Sequence, residues 1–243
     1  MHPDSVRQNI IVNADDFGAD NKTNRRIITC IEKGLISSTT IMTNMPGFEE
    51  VRTWLKSAPA NISFGIHLNI TEGHAVSAEF CDAYPPGELF YRGKLLTAER
   101  RYLKILYAEF SKQIDRLMKT GIRVSHIDSH HHMHTYLPVG LICIRLAKKY
   151  AIKHIRFAQT IGAPRNLIKH LYRYLYNRHL AAGIGSDIIG LGSLAAYMDH
   201  FHKTNGTIEL MGHPGSDSDY ELLLSDKYRS FLSNCKLYNY LNI

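Results

Sequence analysis

The chain has 243 residues, a formal net charge of +7, 44% hydrophobic and 21% charged residues, and 14 histidines. That length and balance fit one domain spanning 1–243 and exclude both a disordered chain and a small scaffold that needs staples. Four scattered cysteines (Cys30, Cys81, Cys143, Cys235) form no CxxC pair, which excludes a zinc ribbon or a disulfide framework and points to reduced thiols in the cytoplasm.

Residues 10–14 (Ile-Ile-Val-Asn-Ala) read as a buried strand, and no signal-peptide core is expected, because the apolar run meets two aspartates at once. Residues 24–33 place Ile27, Ile28 and Ile31 on one helical face and stop at Gly34. Residues 38–42 read as a second strand and 48–57 as a second helix. In 62–70 apolar residues (Ile62, Phe64, Ile66, Leu68, Ile70) alternate with Ser63, Gly65, His67 and Asn69. A solvated sheet face is the simplest account of the polar side.

Residues 80–93, with Pro85, Pro86, Gly87 and Gly93, read as a long loop. The plainest helix is 96–120, where Leu103, Leu106, Tyr107, Phe110, Ile114 and Leu117 recur at helical spacing before Gly121. A strand at 123–129 follows, then a helix at 138–150 with proline in its first turn. A short strand covers 153–157, a basic amphipathic helix 164–182 and a shorter helix 194–202. Residues 207–212 read as a strand and 214–243 as mostly helical. No 18-residue charge-free apolar run exists, so no membrane-spanning helix is expected. Strand–helix alternation implies a parallel sheet with helices outside it. A distorted or incomplete (β/α) barrel is the first expectation and an open doubly wound sheet the second.

Four polar clusters fall at or near the C-terminal ends of expected strands: 13–18, 65–69, 126–134 and 211–215. In parallel α/β folds that edge is where active sites assemble. Asp15 and Asp16 repel each other after a buried strand, so a helix N-terminus or a divalent cation should compensate them. Alternating side-chain directions would let one bind metal while the other faces substrate. Five histidines crowd into 126–134, and the HxxxH spacing of His130 and His134 can bring two imidazoles to one ion on a helix. His126, Asp128 and His130 share a strand face if the strand extends that far, and Asp128 can fix a histidine tautomer. His213 has a side chain suited to a general acid. Arg156, if buried, needs an anionic partner, for which Asp15 is a candidate. His154, His170, His179, His200 and His202 carry no motif and are expected at the surface.

Taken in order, NADDFG (13–18), STTIMTNMP (38–46), GIHLNIT (65–71), HIDSHHHMH (126–134) and MGHPG (211–215) give the chain a specific likeness. It resembles the YdjC/ChbG-type carbohydrate deacetylases. The resemblance implies a polysaccharide-deacetylase-type (β/α) barrel that removes acetyl groups from N-acetylated sugars with one divalent cation, Mg²⁺ or Zn²⁺. Mapped by motif, it implies Asp16, His67 and His130 as metal ligands, Asp15 as base and His213 as acid. It leaves Asp128, His126, His132, His134, Arg156, Asn44 and Asn69 to support the site or meet substrate. The later part of the chain resembles the branch associated with hopanoid biosynthesis and other lipid-linked sugars, in its basic helical segment followed by Asp187, Gly190 and Gly192. It departs from many members at His74-Ala75-Val76 and at Arg25-Arg26, both flanking the expected sugar site.

Two rivals stand beside a sugar deacetylase: a metal-dependent phosphoesterase and a non-catalytic sugar-binding module. An acetylated sugar or glycolipid is the expected partner, and a homodimer is left open. Nucleic acid is not expected, since no nucleic-acid motif accompanies the basic charge. The basic helix at 164–182 either packs on the barrel or lies on an anionic membrane surface, which would place the enzyme at the inner membrane's cytoplasmic face.

Overall fold

In the computed structural model, which describes residues 7–83, 100–162, 166–187, 189–199 and 206–243, the central strand is β1 (Gln8–Phe17). Ile10, Ile11, Val12 and Ala14 are all buried, because a parallel strand between two layers has no solvent face. The chain then runs α1 (Asn21–Glu32), β2 (Ser38–Ile41), α2 (Phe48–Trp54), β3 (Ser63–Leu68), α3 (Ala78–Ala83) and α4 (Arg100–Met118). It continues through β4 (Val124–Ser129), α5 (Leu137–Tyr150), β5 (His154–Ile155), α6 (Leu167–Ile184), β6 (Gly190–Ser193) and α7 (Leu194–Asp199). It ends with β7 (Thr207–Gly212), α8 (Asp217–Leu224), α9 (Asp226–Ser233) and β8 (Cys235–Leu237).

All strand pairs are parallel, in the order β5-β4-β3-β2-β1-β7-β6, with β8 beside the first residues of β1. Strands β5 and β6 end the path and share no ladder. The segment after β5 bridges them instead: the N–H groups of Thr160 and Ile161 both donate to the Leu191 carbonyl. The fold is therefore an incomplete (β/α) barrel with an irregular seam, not an open sheet.

Several elements differ from the sequence reading. The polar side of β3 is not solvated: Ser63 and His67 are buried and face the barrel interior. Strand β6 (Gly-Leu-Gly-Ser) hides behind its glycines, and a Cβ on Gly192 would lie 3.1 Å from the Ile161 Cβ, so glycine here allows the seam to close. Strand β8 lies inside a region read as mostly helical, and α3 runs into the first residues of the expected loop. Residues 84–99, Pro164, Arg165, His200 and His202 lie outside the described residues, so the remainder of that loop and those ends of the expected helices do too.

Candidate active site

The ends of β1, β3, β4 and β7 and the start of the segment after β5 bring the site together. At the end of β1 the two aspartates should point to opposite faces. They do not, because the β1–β2 register shifts between Ala14 and Phe17 and Asp16 takes a left-handed φ of 70°. This bulge re-aims Asp16 toward the barrel mouth, beside Asp15. Simple alternation is thus corrected: a local kink, not the pleat, orients the second carboxylate.

Asp16 Oδ1 lies 3.0 Å from His130 Nδ1 and 3.2 Å from His67 Nε2. One donor atom from each of these three residues falls within 4.8 Å of the others. The other His67 nitrogen is held from behind: Nδ1–H donates to Asp128 Oδ1 at 2.7 Å, and the Thr40 hydroxyl donates to Asp128 Oδ2 at 3.0 Å. That fixes the ring with Nε2 aimed at Asp16. Burial alone would strip charge from His67, but Asp128 and then Asp16 outweigh it and raise its pKa to about 10. Burial would likewise raise Asp16, and the hydrogen bonds from His130 and His67 hold it well below the usual carboxylate range.

Asp15 is buried and salt-bridged at both oxygens to Arg156, with Nη1–Oδ2 at 2.6 Å and Nη2–Oδ1 at 2.7 Å. Asn13 Nδ2 also donates to Oδ1 at 2.7 Å. Burial would raise the Asp15 pKa; the Arg156 charge and hydrogen bonds outweigh it and keep the group ionised. Arg156 follows β5, and its guanidinium also meets Asp128 Oδ2 at 2.7 Å and Glu209 Oε1 at 2.6 Å. Four carboxylates (Asp15, Asp16, Asp128, Glu209) thus share this interior with one guanidinium. The mixed Asp/His/His donor set fits a divalent cation at Asp16, His67 and His130.

His213, after β7, sits with Nε2 at 3.8 Å from Asp15 Oδ2 and Nδ1 at 3.7 Å from Asp219 Oδ2. Its backbone N–H donates to Asp219 at 2.7 Å, which fixes the turn. Burial lowers its pKa, but Asp219, Asp15 and Asp16 outweigh burial and raise it.

The remaining expected residues fall elsewhere. The 130–135 stretch is no regular helix, since His131 and His132 have φ of 50° and 53°. His130 and His134 therefore do not meet at one ion as the HxxxH spacing suggests: His134 turns inward, with Nδ1 2.7 Å from Ser129 Oγ, and of the two only His130 joins Asp16 and His67. His126 stacks on Tyr240 with centroids 3.9 Å apart and belongs to the packed layer beneath the site. Burial pushes His126 and His134 well below the ordinary histidine value, and pulls His132 down to about 4. His132 borders a cleft beside the barrel mouth. Asn44 and Asn69 bond to each other and to carbonyls of Glu72 and, from Asn44, His74, so they shape the loop after β3.

That loop carries a residue the sequence reading missed. Glu72 Oε1 lies 3.4 Å from His130 Nε2 and 3.9 Å from His131 Nε2, a second three-donor group sharing His130. Thr40, Asp219 and Glu209 were missed too. Glu209 had a usable signal, a lone acid in the otherwise apolar strand Thr-Ile-Glu-Leu-Met-Gly.

An incomplete parallel barrel with an Asp/His/His group at its C-terminal edge defines the architectural class, and comparison with solved structures agrees. A protein of Enterococcus faecalis V583, provisionally named a cellobiose-phosphate cleavage protein, superposes with a TM-score of 0.76 at 21% identity, covering 98% of this chain and 100% of that one. The peptidoglycan deacetylase PdaC of Bacillus subtilis superposes with a TM-score of 0.50 at 12% identity, covering 98% and 90%. Both likenesses concern the fold. The YdjC-like protein family model matches residues 9–234, and the chain belongs to that family. A relative from Halalkalibacterium halodurans, named carbohydrate deacetylase, is 31% identical over 209 residues, covering 84% of each chain.

Proposed function

We propose that the chain is a metal-dependent carbohydrate N-deacetylase, which hydrolyses the acetamide of an N-acetylated sugar to acetate and a free amine. The observation that carries this reading is the convergence of Asp16, His67 and His130 beside the ionised Asp15 and His213. Membership of a family whose curated relatives are named carbohydrate deacetylases supports it.

Asp16, His67 and His130 would hold one divalent cation, which when bound polarises the acetyl carbonyl and makes a water more acidic. Asp15 takes the proton of the attacking water at Oδ2, the oxygen that faces His213. Arg156 holds that carboxylate in place and ionised, at the expense of basicity. His213, kept protonated by Asp219 and Asp15, gives its proton to the leaving amine nitrogen. Asp128 and Thr40 keep His67 in the tautomer that presents Nε2.

Acetate release from N-acetylglucosamine oligomers, with added Mg²⁺, Zn²⁺ or EDTA, tests the reading. Asp15→Asn should retain metal and lose turnover by about 10²–10⁴-fold. His130→Ala should lose metal as counted by elemental analysis. Near-normal turnover of Asp15→Asn would remove the base assignment. One observation favours a two-ion phosphoesterase, the second donor group at Glu72, His130 and His131. Two ions per chain with phosphate release in place of acetate release would establish that alternative.

A further inference from the structure

Helix α6 has two apolar faces. Tyr176, Leu180 and Ala181 pack inward. Leu167, Ile168, Leu171 and Leu175 recur at i, i+1, i+4 and i+8, so they form one stripe on the opposite side. That stripe is bare, with Leu167 85% and Ile168 80% exposed. Contiguous apolar surface of this kind marks a contact site, since a lone soluble chain gains nothing from it.

The stripe has cationic and apolar surroundings. Exposed Leu137 and Leu141 of α5 line a groove of about 820 Å³ between α4, α5 and α6. Its floor is apolar and its rim carries Arg100, Lys104, Arg145 and Lys148. Leu137 and Pro138 also border the cleft of about 660 Å³ beside the barrel mouth, where Lys169 and Arg173 stand. Among the described residues no acidic side chain lines either hollow, and 166–184 contains no Asp or Glu.

We propose that this α5–α6 face docks on an anionic lipid bilayer, with α6 lying in the interface. Lysine and arginine side chains meet the lipid phosphates while Leu167, Ile168 and Leu171 enter the acyl boundary. The helix lies on the surface because no described helix is long and apolar enough to cross. Charge argues against a second copy of the chain as the occupant, since a two-fold contact sets the same cationic rim against itself. The cleft at His132 and Met211 joins this face to the barrel mouth, so docking brings the mouth close to the bilayer.

Co-sedimentation at low ionic strength tests the proposal, using phosphatidylcholine vesicles with and without about one-third phosphatidylglycerol. The protein should pellet about tenfold more with the anionic vesicles, and added salt should release it. Leu167→Glu with Ile168→Glu, and separately Arg145→Glu with Lys148→Glu, should each cut pelleting about tenfold. All four side chains are exposed, so unchanged thermal melts verify folding. Absence of pelleting with anionic vesicles overturns the proposal, as does pelleting that neither double variant changes. A wild-type dimer in sedimentation equilibrium that Leu167→Glu with Ile168→Glu dissociates also overturns it, by assigning the stripe to a second copy. None of these readouts depends on acetate release, so this proposal and the deacetylase reading stand or fall separately.

Discussion

His213 stands between two carboxylates that are held in different ways. Asp15 is pinned by Arg156, whereas Asp219 touches the His213 backbone and flanks its ring. Both carboxylates favour the imidazolium, so the histidine titrates above its ordinary 6.5 despite burial. As a general acid it works only while protonated, so turnover should fall as pH rises through that raised pKa. Asp219→Asn removes one stabilising charge and should move this basic limb to lower pH. A kcat/KM–pH profile of the two proteins checks it, and a basic limb that stays in place would show that His213 is not the titrating acid. The motif histidine could be read from the sequence, because His-Pro-Gly follows a strand. Its partner could not, because Asp219 lies six residues on, in a helix with no motif of its own. The Asp15–Asp16 pair is a similar case. Its chemistry was legible, but the φ of 70° that lets both carboxylates serve one edge depends on how β1 meets β2.

Strands β3 and β4 approach each other through Gly65. A Cβ there would lie 2.5 Å from His126 Cε1, because the register shift between Phe64 and Ile66 leaves His126 against the glycine. His126 has nowhere to retreat, being stacked on Tyr240. Gly65→Ala should therefore overpack the interior and destabilise by about 1–3 kcal/mol. For a chain of this size that lowers Tm by roughly 2–4 °C per kcal/mol. A thermal melt equal to wild type would mean that β4 yields at no cost. The helices α4 and α5 and the strands β1 and β3 were legible because their apolar patterns are long and clean. Strands β6 and β8 were not: one is glycine-rich at a seam, and the other is three residues placed by pairing with the start of β1. Helix α4 also hides a function in its buried polar residues. Gln113 bonds both backbone groups of Asn69, and Glu109 accepts from the N–H groups of Val76 and Ser77. The helix thereby pins the loop that carries Glu72.

Across the whole barrel, one arginine ties strands that are distant in sequence. Arg156 reaches Asp15 at the end of β1, Asp128 on β4 and Glu209 on β7, all from the segment that also closes the seam to β6. Removing the guanidinium strips three buried carboxylates of their shared cation: Asp128 keeps His67, while Asp15 and Glu209 keep only the neutral donors Asn13 and Tyr240 and the more distant His213, so they must stay charged at a cost or take a proton. Arg156→Leu should therefore cost about 3–5 kcal/mol at neutral pH, the cost of breaking a buried ion pair from one side. The pH dependence follows from the direction of the Asp15 shift. In the wild type Asp15 has a folded pKa below its unfolded value, so its contribution is present above the unfolded pKa and is lost as pH falls through the folded one. In the variant the same carboxyl is buried without its cation, so its folded pKa rises above the unfolded value and protonation relieves the destabilisation. The stability gap between the two proteins should narrow as pH falls from 7 toward the unfolded carboxylate range near 4. Urea unfolding at several pH values measures that gap. A gap constant across the range would mean that Arg156 contributes packing alone, and that another cation balances the four carboxylates of the barrel interior.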